Sequence, residues 1–112
     1  MGCNIFTRSI IKFTIPKTLS VLGTPYIVSV EDLSKMEIAG YCDYNLKRIV
    51  ICKTLKNNYE GYMTTVLHEL FHAVFQEAGI NQTSIGSDVE EIIVEQMSRV
   101  LFSNISLFKV RK

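Results

Sequence analysis

Between residues 59 and 78 the apolar side chains Met63, Val66, Leu67, Leu70, Phe71, Val74, Phe75 and Ala78 recur at three- and four-residue intervals. That period predicts an amphipathic helix with a broad, well-buried face. Asn57 or Asn58 is placed to cap its start, and Gly79 takes the left-handed position just past its end. A second helix is predicted from Ser87, where Ser87-Asp88-Val89-Glu90 has the form of a capping box. At about 100° per residue its buried stripe is expected along Val89, Ile93, Met97 and Val100, with Val94 and Leu101 on one flank. Residues 105–112 read as a further helical turn or a docked tail.

The first half has a different period. Residues 10–15 (IIKFTI) are β-branched and aromatic, and Pro16 stops them. Leu22-Gly23-Thr24-Pro25 is a turn signal, and residues 26–30 (YIVSV) alternate as a strand does. Residues 31–35 read as a connection. A hairpin follows, with residues 37–42, a turn through Asp43-Tyr44-Asn45, and residues 48–53 (RIVICK). Strands first and helices second predict an α+β fold: a small, mostly antiparallel sheet of three or four strands packed on the two helices.

The 112 residues suffice for one domain and show no repeat or linker, so a single domain spanning 1–112 is expected. A net charge of +1 provides no basic footprint for nucleic acid or an acidic membrane, so neither is expected as a partner. No apolar run reaches the roughly 18 residues of a membrane span. The start, Met1-Gly2-Cys3-Asn4, lacks a signal-peptide layout, and Phe6 stands where a myristoylation motif needs Ser or Thr. Cys3, Cys42 and Cys52 are odd in number with no CxxC spacing, which argues against a disulfide scaffold and for a reducing, cytoplasmic setting.

The chain has two histidines, His68 and His72, and they form His68-Glu69-Leu70-Phe71-His72, an HExxH motif in the middle of the long predicted helix. Residues four apart lie one turn above each other, so two imidazoles can reach one Zn²⁺ at about 2.0–2.1 Å each. Glu69 projects beside them, placed to take a proton from a zinc-bound water whose pKa falls to roughly 7. The competing possibility is a pair of polar edge residues on an amphipathic helix. Against it stand the mid-helix position, the apolar neighbours, and the cost of burying two unpartnered imidazoles.

No third histidine exists, so the third ligand must be a carboxylate; Phe75 and Ala78 occupy the places of the glycine and last histidine in HExxHxxGxxH. Asp88, Glu90, Glu91 and Glu95 of the second helix are the candidates. Helical phase puts Glu90 within the buried arc and Glu91 and Glu95 toward the solvated side. Glu90 is therefore ranked first, with a capping-box role as its alternative, and Glu91 second, one residue from the favoured phase. Tyr41, Tyr44, Tyr59 and Tyr62 are candidate O–H donors to an oxyanion, each with packing as the competing role. Cys42 and Cys52 read as small core residues, and Lys109, Arg111 and Lys112 as a solvated basic end.

The HELFH helix, Gly40-Tyr41-Cys42-Asp43 before it and Glu90-Glu91-Ile92-Ile93 after it resemble the ImmA/IrrE-type small zinc metallopeptidases, above all the compact forms encoded by phages and mobile elements. Ile15-Pro16-Lys17-Thr18 and Leu22-Gly23-Thr24-Pro25-Tyr26-Ile27-Val28 also look like the front of those proteins. The likeness runs from about residue 10 to residue 104. It implies a minimal gluzincin fold, with one zinc held by His68, His72 and an acidic residue best matched by Glu90, Glu69 as catalytic base, and a bacterial host cytoplasm for a phage-encoded form. It also implies a sheet edge, at residues 48–53, that holds an extended substrate. Phe71 departs from the family's frequent glycine. The expectation is thus a zinc-dependent endopeptidase acting on a protein or peptide. The rival is a non-catalytic binding or regulatory module that keeps the zinc site as a structural element or retains it without turnover; a regulatory protein is a further candidate partner.

Overall fold

A computed structural model describes residues 16–80 and 85–104. Four strands, β1 (Thr18–Val21), β2 (Thr24–Glu31), β3 (Gly40–Asp43) and β4 (Arg48–Cys52), precede two helices, α1 (Tyr59–Glu77) and α2 (Ser87–Ser103). This is the expected α+β arrangement, with four strands in one sheet of order β1-β2-β4-β3. Residues 10–15 and 105–112 lie outside the described residues.

The sheet is mixed. β1 pairs antiparallel with β2 and β3 antiparallel with β4, but β2 and β4 run parallel, with Ile27 opposite Arg48 and Val30 opposite Ile51. The β3–β4 hairpin is where the sequence puts it. Its turn is closed by Asp43 Oδ1, which accepts from the amides of Asn45 and Leu46 at 3.1 and 3.0 Å. β4 is an interior strand, not an edge, which overturns residues 48–53 as the place to hold a substrate. Ile49, Val50 and Ile51 are fully buried because both faces of β4 are covered, and a continuous apolar run suits that position. The strand β1 falls between two segments singled out in the sequence, and its turn is tighter than expected: Leu22 and Gly23 have φ of 50° and 89°.

One sheet face packs on α1. Val21, Tyr26, Val28, Ile49 and Ile51 meet Tyr62, Val66 and Ala73 in the main core. On the other face a smaller cluster joins Leu33, Val50 and Cys52. Asn58 caps α1 by accepting from the Gly61 amide at 2.9 Å. At the far end Gly79, with φ of 78°, lets its own amide reach Gln76 O and that of Ile80 reach Phe75 O, closing the last turn. The C-terminal turn is tied to the sheet by Glu77, which accepts from Tyr26 Oη (2.7 Å), Lys47 Nζ (2.7 Å) and Thr24 Oγ1 (3.1 Å).

The helix α2 packs on α1, and the expected phase holds only in part: Glu90 is buried as expected, but most of the expected apolar stripe is not. Its buried residues are Glu90, Val94 and Ser98, whereas Val89, Ile92, Met97 and Val100 are exposed. The contact with α1 is a narrow seam, and the widest apolar stripe of α2 is not the one that fills it. Nor does Ser87 form a capping box: the N-cap is Gly86, without a side-chain bond, and the Glu90 carboxylate goes elsewhere. Among the described residues no helix is long and apolar enough to cross a membrane.

Candidate metal centre

The side of α1 that faces the sheet is a stripe of Tyr62, Val66, Glu69 and Ala73, spaced by three and four residues. His68 and His72 occupy the neighbouring face, half-buried beneath α2, their rings 4.9 Å apart between centroids. The seam between the helices thus brings both histidines of the chain against the first three turns of α2.

Three glutamates of α2 meet them. His68 Nε2 lies 2.9 Å from Glu91 Oε2, and His72 Nε2 lies 3.0 Å from Glu91 Oε1. The other ring nitrogens face different carboxylates: His72 Nδ1 is 2.6 Å from Glu90 Oε2, and His68 Nδ1 is 3.2 Å from Glu95 Oε1. One donor atom from each of His68, His72 and Glu91 falls within 4.8 Å of the other two. Glu91, ranked second in the sequence, therefore stands between the two Nε2 atoms, while first-ranked Glu90 stands behind His72. Glu91 is exposed and Glu95 half-exposed, in keeping with the expected solvated side, yet both carboxylates reach the histidines of α1. Asp88 is exposed and is not in this group.

The donor set fits a divalent cation. Two imidazoles and one carboxylate are the ligands of catalytic zinc sites that keep a fourth position open. Four carboxylates, those of Glu69, Glu90, Glu91 and Glu95, crowd two imidazoles, and a dication offsets that concentration of negative charge. Glu90, 3% exposed, has His72 as its partner.

Glu69 is 9% exposed, and burial is the largest influence on its carboxyl, raising its pKa above the usual glutamate value. His68 and His72 oppose that rise, and Glu91 adds to it. Glu69 lines a cleft of about 410 Å³ together with His68, Thr65, Gly40, Glu95 and Arg99. The cleft borders Ile38 and Ala39 and the first residue of β3, Gly40, which begins the edge strand on this side. A Cβ on Gly40 would stand 2.7 Å from Val50 O and 2.9 Å from Thr65 Cγ2, so only glycine lets the strand lie this close to the helix.

Of the four candidate tyrosines, Tyr62 is in the main core, Tyr59 packs on Phe102 with ring centroids 6.0 Å apart, and Tyr41 packs on the smaller cluster. Tyr44 is the one in the field of the site. Burial, then Cys42 and the carboxylates of Glu90, Glu69 and Glu91, hold its phenol above the usual tyrosine pKa, so it keeps its proton. Burial likewise pushes the Cys42 thiol up to about 12, helped by Glu69 and Asp43, which makes it a poor metal ligand and agrees with a core role.

Glu91 and Glu95 were obscured in the sequence because a hydrophobic pattern marks polar residues only as facing away from apolar ones. A polar face turned to two imidazoles has the same signature as one turned to water. Comparison with protein-family models, curated proteins and solved structures finds no match for this chain.

Proposed function

We propose that the chain is a zinc-dependent metallopeptidase of minimal gluzincin type, with His68, His72 and Glu91 holding the metal and Glu69 as general base. The observation that carries this is the convergence of both Nε2 atoms on the Glu91 carboxylate, at 2.9 and 3.0 Å. The resemblance of the HELFH helix to the ImmA/IrrE-type peptidases supports the same activity. The geometry favours Glu91 over Glu90 as third ligand, because Glu90 meets the ring nitrogen turned away from the shared point.

A bound Zn²⁺ supplies Lewis acidity, polarising a carbonyl and acidifying water. The chain supplies the rest. Glu69 takes the proton of the attacking water and delivers it to the leaving amine, and its burial, by raising its proton affinity, suits it to carrying that proton between the two steps. The peptide lies extended, main chain to main chain, beside residues 38–40 where the β3 edge begins at the cleft. Tyr44, protonated, supplies an O–H beside the site.

The test is zinc content and proteolysis of the purified chain beside Glu69→Gln and His72→Ala. The expected result is one zinc per chain, retained by Glu69→Gln with hydrolysis reduced at least about 100-fold, and lost by His72→Ala. No stoichiometric zinc refutes the proposal. Zinc without cleavage of any peptide or protein favours a binding module that keeps the metal for structure.

A further inference from the structure

We propose that Glu90 and Glu95 are positioning residues, which fix the tautomer and tilt of His72 and His68, and that Arg99 braces the second of these supports. This rests on the metal reading above and deepens it, since it concerns residues that do not themselves ligate.

A neutral imidazole carries one N–H, and the nitrogen that bears it cannot bind a cation. In both rings Nδ1 faces one carboxylate and Nε2 faces Glu91. With the proton on Nδ1, His72 donates to Glu90 and His68 donates to Glu95, and both Nε2 lone pairs are left aimed at the same point. The opposite tautomer would set a bare nitrogen against Glu90 at 2.6 Å, two acceptors in contact. Each carboxylate thus selects the ring form that can ligate, and pins the ring plane as well.

The two supports differ in build. Glu90 sits on the first turn of α2, buried against α1, and its short contact to His72 has the length of a charge-assisted bond. That carboxylate can be withdrawn from water at tolerable cost only where a donor meets it. Glu95 is half-exposed and divides its oxygens: Oε1 lies 3.2 Å from His68 Nδ1, and Oε2 accepts from Arg99 Nε at 2.9 Å. Arg99 lines the cleft and touches neither imidazole, yet it holds the residue that holds His68. All three line the cleft, and the order of support is Arg99, Glu95, His68.

Zinc affinity of Glu90→Gln, Glu95→Gln and Arg99→Ala, measured by competition with a chromophoric chelator, tests this together with the visible spectrum of the Co²⁺ forms. Glu90→Gln is expected to weaken zinc about 10- to 100-fold and to shift the cobalt bands. Glu95→Gln should do so less, and Arg99→Ala least, with the far-ultraviolet circular dichroism of the wild type throughout. Wild-type affinity and an unchanged cobalt spectrum in both Gln variants overturn the proposal, as does lowered thermal stability with neither metal readout moved. So does loss of zinc on Glu90→Gln with full binding by Glu91→Gln, which exchanges their roles. If Glu90→Gln fails to fold, the half-exposed Glu95→Gln decides. Failure of the metal reading itself looks different: the wild-type chain then binds no zinc, and His72→Ala changes nothing.

Discussion

Gly40 on β3 and Thr65 on α1 approach so closely that a Cβ on the first would stand 2.9 Å from Cγ2 of the second. Gly40 and Thr65 line the same cleft as Glu69, so that contact bounds the candidate site. The Val50 carbonyl, only 2.7 Å from the same Cβ position, is backbone of a strand paired on both sides and cannot give way as a side chain can.

Gly40→Ala is therefore expected to lower stability by about 1–3 kcal/mol through overpacking. Urea unfolding measures it. Thr65→Ser in the same chain should recover part of the loss, because it removes the methyl but leaves the Val50 carbonyl. A Gly40→Ala chain as stable as its parent would contradict the close crossing.

Glu69 occupies a position that packing alone would give to an apolar residue, between Val66 and Ala73 on the sheet-facing stripe. Glu69→Leu should stabilise the metal-free chain by about 1–3 kcal/mol, since it ends the burial of a carboxylate, while abolishing hydrolysis. Thermal unfolding in the presence of a chelator measures the first effect and a peptidase assay the second. Lowered stability in Glu69→Leu would mean that the carboxylate is structurally satisfied.

Glu77 gives the fold a pH dependence of known sign. Its bond from Lys47, then that from Tyr26, hold its carboxyl below the usual value of 4.5. Between the folded and unfolded values the unfolded chain binds more protons, so stability falls as pH drops through that window. The contribution is complete above about pH 4.5 and lost once pH falls below the folded value. Glu77→Gln should flatten this part of a stability-against-pH curve and leave the region above pH 6 parallel to the parent. An unchanged acid limb would show that the Glu77 network does not link α1 to the sheet in solution.

Cys42, its thiol pushed up to about 12, should resist iodoacetamide at pH 8 in the folded chain and react when urea is added. Mass spectrometry of peptides that separate Cys42 from the other cysteines reads this directly. Rapid alkylation of Cys42 in the native state would contradict its burial beside Glu69.

What could be read from the chain follows from which interactions are local. Asn58 and Gly79 mark the ends of α1 because capping depends on a few neighbouring residues, and the β3–β4 turn is written in Asp43 for the same reason. His68, Glu69 and His72 are brought together by one helix, so spacing alone places them. The parallel pairing of β2 with β4 joins segments that no short-range rule connects, and alternation within a strand does not name its neighbour. The phase of α2 is legible at Glu90 and not along its apolar stripe, because Val89, Met97 and Val100 make the larger stripe while α1 selects Glu90, Val94 and Ser98 for its polar, histidine-bearing face.

The most direct test of the central claim is anomalous diffraction from crystals grown with zinc, recorded on both sides of the zinc absorption edge. One peak is predicted per chain, about 2.0–2.2 Å from Nε2 of His68, Nε2 of His72 and a carboxylate oxygen of Glu91. No peak there, or a peak ligated by Glu90 in place of Glu91, would contradict it.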